Sequence, residues 1–287
     1  MSWIQIVLEV PEADAESVAE RLTELGALSV TFQDAADQPL YEPAPGQTPL
    51  WARLQVVGLF PAEADRDALR AALGAHADAL TVQPLEDRDW VRAWMDDFRP
   101  MRFGERLWVC PGGFEPPEPS AVNLFLDPGL AFGSGSHATT ALCLEWLDAH
   151  PPGGCTVLDY GCGSGILAVA AARLGASVVW AVDNDPQALV ATRDNAGRNG
   201  VEALVHVCLP EDLPDLTADV VLANILAGPL VALAPDLAAR VRAGGDLVLS
   251  GILNHQAQAV ADAYRPWFDL GPPVTREDWV RLEGVRR

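Results

Sequence analysis

Val157-Leu158-Asp159-Tyr160-Gly161-Cys162-Gly163-Ser164-Gly165-Ile166 runs from a short apolar strand, through an acid and three alternating glycines, into a helix. Glycines at this spacing let the chain turn tightly between strand and helix and let a ligand come close to the backbone. The stretch reads as a nucleotide-cofactor turn on the first strand of an α/β sheet. Asp159 bears on which cofactor. A dinucleotide pyrophosphate seated at the helix N-terminus would be repelled by that acid, whereas the sulfonium and amino group of S-adenosylmethionine are favoured by it. A second apolar strand, Val178 to Val182, ends at Asp183, whose carboxylate suits the two hydroxyls of a ribose. Its distance of about 20 residues from the turn also suits dinucleotide folds, so a nicotinamide coenzyme stays open as the alternative.

Downstream of Leu107 the pattern repeats. Short β segments are followed by a helix from about Ala138 to Leu147, then by strands near 155 to 159, 178 to 182, 203 to 208, 219 to 223 and 245 to 250, with helices between them. Alternating β and α predicts a mainly parallel sheet covered on both faces, with ligands at the carboxyl ends of the strands. Asp159, Asp183 and Asn224 all fall at such ends. Asn224 opens the charge-free segment Asn224-Ile225-Leu226-Ala227-Gly228-Pro229. An amide there orients an acceptor amine without holding it as a cation, as a carboxylate would; the bland role for Asn224 is a turn or helix cap. The glycine-rich stretch Asp127 to Thr140 opens a helix and is placed to cover the cofactor. Its Ser and His residues are adjacent in sequence and no GxSxG elbow exists, which argues against hydrolase chemistry.

The amino-terminal part has another rhythm. Residues 3 to 10 alternate as a strand, Ala13 to Leu25 has helical spacing, and Leu28 to Phe32 reads as a strand. Leu50 to Phe60, Asp65 to Leu73 and Leu80 to Pro84 read as strand, helix and strand. The order βαββαβ predicts a ferredoxin-like α+β domain, an antiparallel sheet with both helices on one face. Asp87 to Phe98 reads as a helix with Trp90, Trp94 and Phe98 on one side. The expected organisation is therefore 1–86, a linker helix over 87–105, and 106–287.

Composition narrows the function. The 287 residues hold 40 acids and 19 basic residues, a net charge of -21. That balance opposes direct binding to nucleic-acid phosphates and favours a basic partner, with solubility or adaptation to a salty cytoplasm as the alternative role of the charge. Residues 1 to 86 contain fourteen acids and four arginines, so much of the acidity lies away from the glycine turn. All 19 basic residues are arginine. No apolar run approaches the ~18 residues of a membrane span, and no secretory signal opens the chain, so a cytoplasmic protein is expected. The five cysteines, Cys110, Cys143, Cys155, Cys162 and Cys208, and the five histidines lack metal-ligand spacing. Buried reduced thiols and no metal are expected.

The segments Glu86 to Pro111, Asp127 to Leu144, Val157 to Leu174, Ala181 to Ala188 and Ala223 to Leu230 together resemble the PrmA family, the methyltransferases of large-subunit ribosomal protein eleven. The likeness spans nearly the whole chain, although the amino-terminal part matches in pattern more than in residues. The resemblance implies a class I S-adenosylmethionine-dependent methyltransferase, Rossmann-like, joined through a mobile linker to a ferredoxin-like substrate-recognition domain. It implies methylation of lysine side chains and of the terminal amine of that basic ribosomal protein. By motif, Thr140, Gly161, Asp183 and Asn224 carry over as cofactor contacts, with Asn224 also beside the acceptor amine and Phe132 in the covering loop. Asp159 and Gly163 join them from the glycine turn. Where the family commonly shows GTGTHPTT, this chain has Gly133-Ser134-Gly135-Ser136-His137-Ala138-Thr139-Thr140. The hydroxyls survive, but Ala138 lacks a proline that favours the first helical turn.

Overall fold

The computed structural model describes residues 3–36, 49–74, 80–85, 99–126 and 137–287. The chain divides into two compact units, residues 1–93 and 94–287.

In the first unit, β1 (Trp3–Pro11), α1 (Glu12–Glu24), β2 (Ser29–Asp34), β3 (Arg53–Pro61), α2 (Arg66–Ala72) and β4 (Leu80–Leu85) follow one another. The sheet is antiparallel in the order β2-β3-β1-β4, the expected split arrangement. Alternation along β1 turns Ile4, Ile6, Leu8 and Val10 to one face, where they meet Val56 and Phe60 of β3 and Ala15, Val18 and Leu22 of α1. Helix α2 starts where Asp65 accepts hydrogen bonds from the Asp67 and Ala68 N–H groups, both at 3.0 Å. Such a cap satisfies two otherwise unpaired helix donors.

The second unit opens with a three-stranded sheet, β5 (Met101–Phe103), β6 (Leu107–Pro111) and β7 (Val122–Leu126). The described tail of the expected linker, residues 99–105, thus carries strand β5, antiparallel to β6, rather than helix. The aromatic positions Trp90, Trp94 and Phe98 lie outside the described residues. Helix α3 (Ala138–Ala149) leads into the main α/β run: β8 (Thr156–Tyr160), α4 (Ile166–Arg173), β9 (Val178–Val182), α5 (Pro186–Arg198), β10 (Val205–Cys208), β11 (Ala218–Asn224), α6 (Ala227–Ala232), α7 (Ala234–Arg240), β12 (Val241–Leu253) and α8 (Ala257–Tyr264). It ends in β13 (Phe268–Leu270), β14 (Val274–Arg276) and β15 (Trp279–Arg286).

The strand order is β10-β9-β8-β11-β12-β15-β13, parallel from β10 to β12, with β15 inserted antiparallel beside β12 and β14 paired to β15. Successive strand residues feed two separate cores. Val157, Ala181, Val220 and Leu222 pack against α3 and α4, while Leu158, Val182, Val221 and Ala223 pack against α6, α7 and α8. A parallel sheet buried on both faces calls for near-continuous apolar runs, and Val157-Leu158, Val178 to Val182 and Val220 to Ala223 supply them. The three carboxy-terminal strands are not among the sequence expectations.

Candidate active site

The turn after β8 crosses the end of β9. Gly161 N and Cys162 N donate to Val182 O at 2.7 and 3.0 Å, and Gly163 N donates to the Asp183 carboxylate at 2.9 Å. Gly161, Gly163 and Gly165 all have positive φ, 81°, 53° and 76°. At Gly161 a second constraint appears: an added Cβ would lie 2.1 Å from Ile225 Cγ2. The missing side chain makes room for the residue after Asn224, so the glycine turn and the end of β11 are in direct contact.

Asp183, half-buried just past β9, uses its other oxygen to accept from Asp185 N at 3.0 Å. Two of the roughly four acceptor positions of its carboxylate are thus used, and the rest remain for ligand hydroxyls. Asn224, the last residue of β11, donates through Nδ2 to Thr140 Oγ1 at 3.3 Å. Thr140 is fully buried in the first turn of α3, and Ser250 of β12 donates to Thr139 O at 3.1 Å. These bonds tie α3 to the carboxyl ends of β11 and β12. Without proline at Ala138, the helix is started by the His137 ring, which accepts from Thr139 N and stacks edge-on against Trp279 at 4.9 Å.

Asp159 is placed differently from the other acid. It is 1% exposed, and Oδ2 accepts from Ala168 N in the first turn of α4 at 3.0 Å. Its Oδ1 is buried with no hydrogen-bond partner. Burial pushes the carboxyl up to about 7; the Ala168 N–H opposes this and the neighbouring Asp183 adds to it. The turn therefore rests on a largely uncompensated carboxyl group.

Four predicted residues, Gly161, Gly163, Asp183 and Asp159, meet at the turn, and Thr140 joins Asn224 one strand over. Phe132 and the glycines of the loop expected to cover the cofactor lie outside the described residues. Reading the sequence missed the support beneath the turn. Thr192 Oγ1 donates to Gly163 O at 3.0 Å, and Asn195 Nδ2 donates to Ser164 O at 2.8 Å. Asn199 holds Phe125 through both its N–H and its C=O. The three occupy positions i, i+3 and i+7 of α5 and its cap, and small amides and hydroxyls on a helix's buried face were the available signal. Of the five cysteines, Cys110, Cys143 and Cys162 are buried thiols as expected, whereas Cys155 and Cys208 are only partly buried. Among the described residues no group of three or more His, Cys, Asp or Glu is arranged to hold a metal, and no helix is long and apolar enough to cross a membrane.

The family model for ribosomal protein L11 methyltransferase (PrmA) matches residues 2–287. The chain belongs to this family. The ribosomal protein L11 methyltransferase of Ectopseudomonas mendocina is 55% identical over 292 residues, covering 100% of both chains, and that of Azotobacter vinelandii is 56% identical with the same coverage. A crystal structure of ribosomal protein L11 methylase from Lactobacillus delbrueckii subsp. bulgaricus is 31% identical with a TM-score of 0.61, covering 66% of this chain and 100% of that one. The fold is that of the class I, Rossmann-like methyltransferases, as the PrmA motifs imply. The site fits their methyl donor on its own chemistry: a carboxylate with spare acceptor positions for ribose hydroxyls stands at Asp183, and a buried carboxyl lacking a counter-charge stands at Asp159.

Proposed function

We propose that this methyltransferase transfers methyl groups from S-adenosylmethionine to lysine side chains and the terminal amine of ribosomal protein L11. The observation that carries the reading is the neutral edge of β11: Asn224, held by buried Thr140, opens a segment without a charged side chain as far as Pro229. The bound cofactor supplies an electrophilic methyl group on a sulfonium. An acceptor lysine with a pKa near 10.4 must lose a proton to solvent first, at a cost of roughly 4 to 5 kcal/mol near neutral pH. A carboxylate beside the amine would raise that cost, whereas the Asn224 amide oxygen orients the lone pair without stabilising the ammonium form. The Nδ2 bond to Thr140 supports this role, because it turns the amide's donor end inward and leaves the oxygen for the amine.

Asp183 holds the ribose hydroxyls, and Gly161 and Gly163 shape the turn; the PrmA motif adds Phe132 as a cofactor contact. In this reading the first unit recognises the substrate, and the second, which takes in strand β5 from the expected linker, carries the chemistry. The acidic first unit suits a basic ribosomal protein rather than nucleic acid or a membrane, and a ribosomal substrate places the reaction in the cytoplasm. Incubating the enzyme with L11 and methyl-labelled cofactor tests it. Label in lysines and the terminal amine, mapped by mass spectrometry, is the expected result, and absence of label from the protein overturns it.

A further inference from the structure

Asp183, Asn224 and Thr140 each hold or position a group in the reading above; the buried carboxyl of Asp159, which the sequence sets in favour of a cationic cofactor, has no protonation state assigned in it and accepts from Ala168 N. We propose that Asp159 is a proton-linked counter-charge for the cofactor, partly protonated near neutral pH in the cofactor-free enzyme and ionised, its proton passed to solvent, when a cationic cofactor occupies the glycine turn. The inference rests on the S-adenosylmethionine reading and extends it to a residue that distinguishes a cationic ligand from a neutral one.

The surroundings require it. Asp159 lies inside β8, and the groups facing it are Asp183 from the end of β9, the Cys162 thiol from the turn and the Cys143 thiol from α3. Arg281 of β15 is near Cys143, but its guanidinium donates to Leu142 O at 2.8 Å and pairs with Glu283 at 2.7 Å. A negative Asp159 therefore has one N–H and the start of α4 in its favour, against full burial and a second carboxylate. Buried charge without a partner is costly, and such a group neutralises instead. The upward shift of the carboxyl to about 7 agrees with this balance. A sulfonium or ammonium on the turn supplies the missing partner, and the proton leaves. The sign follows: the ligand favours the ionised form, so affinity is full above the resting pKa and falls as pH drops through it.

The test is calorimetric titration of the full chain with S-adenosylmethionine in buffers of differing ionisation enthalpy. At pH 7 wild type is expected to release about half a proton more per cofactor bound than Asp159→Asn, and its affinity to fall about tenfold from pH 8 to pH 6 relative to that variant. Asparagine keeps an acceptor for Ala168 N, and the difference between the two proteins cancels the titration of the ligand's own amino group. S-adenosylhomocysteine separates the sources: release with both ligands assigns the linkage to the amino group they share, and release with S-adenosylmethionine alone assigns it to the sulfonium. Equal proton release and equal pH slopes in the two proteins overturn the inference. If the variant fails to fold, infrared difference spectra of wild type decide, with loss of a protonated-carboxyl band on cofactor addition expected and an unchanged band overturning it. A wild-type enzyme that bound no S-adenosylmethionine would instead bring down the functional reading beneath it.

Discussion

The core of the first unit is made of Ile4, Ile6, Leu8, Leu22, Leu54, Phe60 and their neighbours, and no polar or charged side chain among its described residues is buried. The second unit buries Thr139, Thr140, Asp159, Ser164, Thr192, Asn195 and Ser250, all near the glycine turn or the ends of β11 and β12. Each buried polar group costs stability unless it is paired. In the second unit Thr192, Asn195 and Ser250 pair with backbone atoms of the turn and of α3, Asp159 with Ala168 N, and Thr140 with Asn224, and these bonds hold the edge in place before a ligand arrives. With its polar groups outside, the first unit offers an apolar scaffold and a charged surface. Substitutions in the second unit should therefore move stability, cofactor affinity and kcat, and substitutions in the first should move substrate capture.

The largest effect is expected from one substitution made in both units. Gly26 has φ 93° with no atom within 4 Å of an added Cβ, whereas Gly161 has φ 81° and meets Ile225. Gly26→Ala should cost only the left-handed backbone penalty, about 1 to 2 kcal/mol. Gly161→Ala should add about 1 to 3 kcal/mol of overpacking to that penalty and displace the end of β11 as well. Denaturant unfolding measures the first difference and cofactor titration the second. Equal costs at the two sites would break the contrast.

Asn224→Ala comes next. Loss of one preorganised polar group at a reacting centre lowers kcat by about a hundredfold or more, while cofactor affinity should stay within a few-fold of wild type. Steady-state kinetics with separate cofactor binding gives both numbers, and unchanged turnover would remove Asn224 from the acceptor site. Asp183→Ala should show the reverse split, weakening S-adenosylmethionine by about 1.5 to 3 kcal/mol, the scale of hydrogen bonds to a charged group. Unaltered affinity would show that Asp183 serves only the turn, through Gly163 and Asp185.

How much of this was legible follows from where the information sits. Both architectures were readable because period-2 and period-3.6 patterns are local: the βαββαβ order and the five parallel strands from β8 to β12 are where the hydrophobic runs put them. The carboxy-terminal strands were not. β14 is three mostly polar residues, Val274–Arg276, and its strand character comes from pairing with β15 rather than from its own composition. Within the site, strand ends and glycines marked Asp159, Gly161, Asp183 and Asn224, because those positions follow from topology. That the space beside Gly161 is taken by Ile225, and that Asp159 lies buried with one oxygen unpaired, depends on contacts more than 60 residues apart or on burial, which no local pattern records.

The smallest expected effect tests the first unit. Glu12, Glu16, Glu20 and Glu24 recur every fourth residue along α1 and are exposed, with Glu24 paired to Arg21 at 2.8 Å. A stripe of carboxylates at that spacing forms one charged helix face. Exposed charges of this kind contribute little to folding, so Glu12, Glu16 and Glu20 changed together to Gln should leave stability nearly unaltered. Their field acts on encounter instead, over a Debye length of about 10 Å at 0.1 M salt. Raising salt from 0.05 to 0.3 M should raise the wild-type KM for L11 by about threefold, with kcat and cofactor affinity unchanged, and the triple variant should respond less. If both proteins responded alike, substrate capture would not run through this helix. If neither did, the acidity of the first unit would be a matter of solubility, and the division of labour between the units would rest on the second alone.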